Sequence, residues 1–356
     1  MDGETGQRSW FRRRPRLTLS AIALTVCVVT VIFAELAARA LFPEWIPATI
    51  ERVEFWTYDD LLGWAHAPGY RGRFIHRDFS VEVAANSHGL RDSEYSTARN
   101  EKKRMLVLGD SFGWGFGVEH HEIFSEILEA DHPDWEIINA CVPGYGTDQQ
   151  FLYLKERGLF FKPDVILVLF CVNDFDENVQ AELYWHFKPM FVLEDRKLEL
   201  QNVPVPGPTT KQRLQRFLLG TTYLGPKLNS VKDVLVRLVA TRKDSNEEKA
   251  TVDMWNMRHL TRLLIKAIHE LCDEHGVALV LASVPMDSEK RAFIQKIAGE
   301  QKFAYLPLDG HFDSAAERTT FAHDGHWNSK GHEIAAGAID SFLWKSGVID
   351  ESKLGR

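Results

Sequence analysis

Residues 165–171 read VILVLFC, seven consecutive apolar positions bounded by Lys162-Pro163-Asp164 and by Asn173-Asp174. A run this short, with no polar residue alternating through it, suits a strand covered on both faces, as in the interior of a parallel sheet. The shorter run at residues 105–108 (MLVL) has the same character, and residues 135–141, 277–284 and 303–308 read as further strands. Helical patterns separate them, at 122–130, 147–157, 257–274 and 288–300, and a last helix is expected over 330–345. Five strands alternating with helices imply a five-stranded parallel sheet in a three-layer α/β/α sandwich. Residues 178–252 interrupt the alternation. Within them 190–205 reads as a hairpin, and 213–239 as an amphipathic helical stretch broken by Gly220, Gly225 and Pro226. This insertion is expected to cover the site, to lie on a bilayer, or to act as a structural cap.

Ahead of the sheet the pattern is different. Arg12, Arg13, Arg14 and Arg16 precede an uncharged stretch over 17–34, and apolar character resumes after Glu35 as far as Phe42. That is about the minimum for a helix crossing a ~30 Å hydrocarbon core. Basic residues on its N-terminal side place residues 1–16 in the cytoplasm and the rest of the chain outside. A cleaved signal peptide is the alternative, with Ala38-Arg39-Ala40 as its cleavage site. The run is longer than a usual signal core, however, and Arg39 suits the site poorly. The chain therefore divides into a basic tail (1–16), a signal anchor (17–41), a β-rich leader (42–100) and an α/β domain (101–346) carrying the insertion. In the leader, Phe79, Val81 and Val83 alternate with Ser80, Glu82 and Ala84 as a half-buried strand would, and the polar run 93–103 reads as a linker.

A formal charge of −8 argues against a nucleic-acid partner, which would require a basic face to displace counterions. The cysteines, Cys27, Cys141, Cys171 and Cys272, include no CxxC pair and no zinc spacing, so neither a structural metal nor a cofactor is expected. In a sheet ordered 2-1-3-4-5, Cys141 and Cys171 would lie two strand spacings apart. At roughly 9–10 Å, that is too far for a disulfide.

Four short motifs follow strand ends, on the edge where open α/β sheets bind ligands. Gly109-Asp110-Ser111-Phe112 places a serine on a strand-to-helix turn, beside free backbone N–H groups. Residues 139–144 (NACVPG) bring Gly144, which lets backbone approach a ligand closely, although Pro-Gly also punctuates ordinary turns. Val172-Asn173-Asp174 brings an amide that can donate to a developing oxyanion, or simply start a helix. Asp324-Gly325-His326-Trp327-Asn328 brings an imidazole with a carboxylate two residues away, suited to fix its tautomer. Asp324 and Asn328 could instead cap the last helix. Asp309-Gly310-His311 has the same spacing and competes; the later pair is preferred because its loop is free to fold back over the sheet edge. In the same 2-1-3-4-5 order, Gly144 and Asn173 bracket Ser111.

These four blocks resemble those of the SGNH (GDSL-like) hydrolases, with Ser111, Gly144, Asn173 and His326 at the naming positions. The leader GWAHAPGY…NSHGLRD, followed by GDSF and NACVPGYGTDQ, resembles a bacterial membrane-anchored branch of that superfamily. The resemblance covers residues 104–345 apart from the insertion. It implies a flavodoxin-like fold and a catalytic triad of Ser111, Asp324 and His326. It further implies an oxyanion hole from the Ser111 N–H, the Gly144 N–H and the Asn173 side chain, with Gly109, Asp110 and Asp174 in support. Metal-free ester chemistry follows, on O-acyl or acetyl groups of envelope carbohydrate or lipid. The implied location is the bacterial inner membrane, single-pass, with the catalytic domain facing the periplasm or exterior. Two positions depart from the pattern: Cys171 stands where a glycine is usual, and Asp324 precedes His326 by two residues rather than three.

Rival readings remain. An O-acyltransferase to polysaccharide would use the same triad, and a non-catalytic module of this fold would bind carbohydrate or a partner. Gly109-x-Ser111-x-Gly113 also satisfies the nucleophile elbow of α/β-hydrolases, but that fold places several strands ahead of its elbow. A phosphate-cradling loop of the GxxxxGK[ST] type is absent after the first strand.

Overall fold

The computed structural model describes residues 15–42, 55–184, 186–194, 197–225, 227–228, 231, 247–345 and 347–348. The chain divides into two compact units, one of residues 1–50 with 218–243, the other of 51–217 with 244–356.

The first unit is built on helix α1, Pro15–Leu41, whose 27 residues are long and apolar enough to cross a membrane. The Thr25 and Thr30 hydroxyls donate to the carbonyls of Ala21 and Val26, so both are satisfied within the helix, as a lipid environment demands. Toward its C-terminal end, the Glu35 carboxylate accepts the backbone N–H groups of Tyr223 and Leu224 at 2.8 and 3.1 Å. Glu35 also pairs with Arg39, whose guanidinium lies 5.2 Å from the centre of the Tyr223 ring.

The second unit holds the sheet. Strands β5 (Lys103–Gly109), β6 (Trp135–Asn139), β7 (Val165–Phe170), β12 (Ala278–Ser283) and β13 (Ala304–Pro307) are all parallel, in the order β13-β12-β7-β5-β6. Read from the other edge this is 2-1-3-4-5. Alternate residues of each strand serve two cores. Met105, Val107, Leu167 and Leu169 face one, with Leu128 of helix Phe124–Asp131 and Ile339 of helix Ser329–Asp340. Leu106, Leu108, Ile166 and Val168 face the other, with Leu152 of helix Thr147–Glu156, Ile268 of helix Glu247–His275 and Ile294 of helix Ser288–Gln301. The absence of polar residues in VILVLFC follows from this double cover.

Element ends differ from the sequence pattern for local reasons. The second strand stops at Asn139 because the Asn139 side chain accepts the N–H of Cys141, turning the chain there. The last helix is α-helical only over Ser329–Asp340 and widens into a π-type turn at Ser341–Lys345. Of the stretch 213–239, a helix covers Thr210–Thr221, and residues 232–239 lie outside the described ones. The hairpin expected over 190–205 is present as β10 (Met190–Glu194) and β11 (Lys197–Gln201).

The leader forms two hairpins, β1 (Trp56–Asp59) with β2 (Gly63–His66) and β3 (Arg71–Ile75) with β4 (Ser80–Ala84). It is not a separate layer: Phe55, Phe74, Val81 and Val83 are buried in the first of the two cores. Nor is 93–103 a free linker, since Arg99 grips Asp164 through both carboxylate oxygens and Tyr95 is buried. The buried Arg91 donates to the carbonyls of Glu82, Trp114, Gly115 and Val118. Its neighbour Asp92 accepts the N–H of Asn139 at 2.6 Å. One dipeptide of the leader thus holds the turn after β5 and the end of β6.

Candidate active site

Ser111 begins a short helix, Ser111–Trp114, two residues beyond the last residue of β5. Asp110 is its N-cap, and the Asp110 carboxylate accepts the N–H of Phe112 at 2.9 Å. The helix ends at Gly115, whose φ of 82° is the left-handed conformation that glycine adopts without penalty. Gly113 has a packing reason: a Cβ there would lie 2.3 Å from Cys141 Sγ.

The His326 Nε2 lies 2.7 Å from Ser111 Oγ. On its other side, Nδ1–H donates to Asp324 Oδ1 in a short hydrogen bond, and the His326 backbone N–H reaches the same oxygen at 2.8 Å. Burial alone would raise the Asp324 carboxyl, but its hydrogen bonds and proximity to His326 outweigh that and hold it below the usual carboxylate range. The imidazole is stacked on Phe116, with ring centres 4.1 Å apart, and tilted against Phe112 at 4.9 Å.

The loop carrying His326 is held at several points. Phe321 N–H donates to the His326 carbonyl, and Asn328, not Asp324, caps the final helix by accepting the Gly331 N–H. Asp78 of the leader accepts from His323 N–H at 2.8 Å and from His323 Nδ1–H at 2.6 Å. Phe79 packs on Phe321 beside it. The competing pair is engaged elsewhere: Asp309 accepts from the Met286 N–H and pairs with Arg291, and the imidazole at Ser111 is that of His326, not His311.

Gly144 is buried with φ 77°, in contact with Tyr184 and Trp64. Among the described residues, the Ser111 and Gly144 N–H groups are given to no protein acceptor. Asn173 donates one amide hydrogen to Asp110 Oδ2 at 3.1 Å, and Cys171 Sγ approaches Asp110 Oδ1 at 3.2 Å. Burial raises the Asp110 carboxyl, and those bonds, together with the Phe112 N–H and the charge of His326, offset only part of the rise. Asp174 is fully buried, accepting from Thr147 Oγ1 and Gln150 Nε2. Burial first, then Asp110 and Glu177, push it well up. Glu177 is raised to about 7 by burial, against opposing hydrogen bonds from Asn173 and Tyr184. Asp148 is paired with the buried Lys188, which also donates to the Glu177 carbonyl.

Ser111, His326 and Asp324 are thus joined in one chain of hydrogen bonds and Asn173 is bonded to Asp110 beside the serine, while Asp78, Glu177 and Tyr184 had no signal in the pattern. Asp78 and Glu177 are acids among many, and Tyr184 sits between two strands of two residues each, β8 (Glu182–Leu183) and β9 (His186–Phe187). Asp92, His120 and Glu126 bring ligand-type atoms within 4.8 Å of one another. Burial, followed for Asp92 by the charge of Glu126, raises both of these carboxyls, so the pair favours holding a proton.

Fold and site together define a serine–histidine–aspartate centre at the carboxyl edge of a parallel α/β/α sheet. In these respects the chain is similar to the SGNH hydrolases. No protein-family model and no curated protein matches it. Solved structures with a similar fold include TesA, at 10% identity over 69% of this chain and 100% of that one, with a TM-score of 0.41. Others are the esterase EstA from Pseudoalteromonas sp. (10% identity, 69% and 98% covered, TM-score 0.40) and an acetyl xylan esterase (12% identity, 67% and 99% covered, TM-score 0.39).

Proposed function

We propose that this chain is a serine esterase of the SGNH type, anchored by α1, that acts through an acyl-enzyme on O-acyl groups, acetyl foremost, of envelope carbohydrate or lipid. The observation that carries the reading is the Asp324–His326–Ser111 chain of hydrogen bonds, with Nε2 at 2.7 Å from the hydroxyl. His326 Nε2 takes the Ser111 proton as Oγ attacks the ester carbonyl, and Asp324 stabilises the resulting imidazolium. The oxyanion is received by the Ser111 and Gly144 N–H groups and by the Asn173 amide, which keeps one hydrogen on Asp110 and turns the other from Glu177 to the oxyanion, each such donor lowering the barrier by roughly 3–4 kcal/mol. His326 then returns the proton to the departing alcohol, leaving an acyl-serine for water to hydrolyse.

The test uses full-length protein in detergent micelles with p-nitrophenyl acetate. A burst of nitrophenolate is expected, abolished in Ser111→Ala and His326→Ala and retained in His311→Ala. A burst that survives Ser111→Ala would end this assignment. Adding acetyl-free polysaccharide to the same assay measures transfer against hydrolysis.

A further inference from the structure

We propose that Tyr184, contributed by the insertion, determines how long an acyl group the site accepts; the inference rests on the esterase reading and deepens it. A Cβ built on Gly144 would lie 2.7 Å from Tyr184 Cε2 and 2.9 Å from Cδ2, so the edge of the phenol ring is in contact with the glycine itself. Trp64 approaches the same point, at 3.4 Å, and is fixed by its indole N–H on the Pro143 carbonyl. The Tyr184 hydroxyl donates to Glu177 Oε1 at 3.3 Å, and Glu177 also bonds the Asn173 side chain. Tyr184 is therefore tied to both residues proposed to receive the oxyanion beyond Ser111. Its backbone has φ 48°, a conformation that residues with side chains seldom adopt and that persists where the surroundings demand it. The residue nevertheless remains 48% exposed, so apolar surface is left at the edge of the site.

Tetrahedral geometry gives that surface its role. The carbon bonded to Ser111 Oγ has three other substituents. The oxyanion points to Gly144 and Asn173, and the departing oxygen points to His326, where Phe112 and Phe116 already crowd the imidazole. The acyl chain takes the remaining direction, away from His326, along the wall that Gly144 and Tyr184 form. A rigid aromatic at that wall favours acetyl and shuts out longer chains, because a pocket that lacks room for added methylenes discriminates strongly against them.

The experiment compares wild type, Tyr184→Ala and Tyr184→Phe as full-length protein in micelles, on p-nitrophenyl acetate, butyrate and octanoate. Tyr184→Ala should raise the octanoate-to-acetate ratio of kcat/KM about tenfold or more. Tyr184→Phe, which keeps the ring and loses only the hydroxyl, should leave the ratio within about twofold of wild type. A parallel set of ethyl and benzyl acetates varies the alcohol instead, and its ratio should not move. An unchanged acyl ratio in an active Tyr184→Ala enzyme overturns the proposal, as does a change confined to the alcohol set. Wild-type protein inert toward every ester would overturn the esterase reading and this proposal with it.

Discussion

The Asn173 amide donates to Asp110 Oδ2 at 3.1 Å, while the other oxygen of Asp110 receives the N–H of Phe112, one residue past the serine. A single buried carboxylate thus fixes both the amide proposed as oxyanion donor and the turn that presents the proposed nucleophile.

Removing that link should act on the chemical step. Asn173→Ala is expected to lower kcat by about 10²–10³-fold. Asp110→Ala, which leaves Asn173 in place but unheld, should cost about 10²-fold, since small displacements of a donor are expensive. KM should change little in either, and steady-state kinetics with p-nitrophenyl acetate separate the two parameters.

Arg91 donates to four backbone carbonyls, three of them in the turn after Ser111. Arg91→Met should destabilise the fold by about 2–4 kcal/mol, because several buried carbonyls lose their donor together. Arg91→Lys should rescue only part of this, an ammonium being unable to reproduce the guanidinium fork. Urea unfolding followed by tryptophan fluorescence measures both.

Glu177 offers a pH signature. Its folded value of about 7 lies above the ordinary 4.5, so the native state keeps a proton that the unfolded chain has already released in between. Its contribution to stability is present below pH 4.5 and is lost as pH rises through 7. Glu177→Gln has no such loss. Its melting temperature relative to wild type should therefore rise between pH 5 and pH 8, by the equivalent of at most about 3 kcal/mol. A difference that stays flat across this range would contradict the assignment.

Lys188 and Asp148 are both fully buried and paired at 2.8 Å. Lys188→Met should destabilise by about 3–5 kcal/mol by stranding the carboxylate, and Asp148→Asn in the same chain should recover part of it. Thermal melts of the two single variants and the double variant read the coupling.

The sheet was legible because its strands have no polar face and its helices do, a contrast that survives any uncertainty about ends. Ser111, Gly144 and Asn173 were legible because each follows a strand on one edge, whereas His326 comes from the loop ahead of the last helix, beyond helix Asp309–Asp313. Two Asp-x-His pairs looked alike in one dimension. They part in space because Asp309 is taken by Met286 and Arg291 while Asp324 is hydrogen-bonded to His326. Tyr184 and Asp78 could not be found, since long-range contacts between short irregular segments leave no periodicity. What the β-rich leader packs against was not legible, because short hairpins carry no mark of it. Its phenylalanines and valines in fact complete the first core.

The bond from Asp78 to His323 joins the early hairpins to the loop that bears the imidazole. A truncated chain starting near Ser93 would retain every residue of the proposed triad and oxyanion hole. It would also leave the proton acceptor on an unbraced arm, and should turn over poorly even if it folds. The shortest segment expected to carry the proposed activity therefore begins upstream of its first recognisable motif.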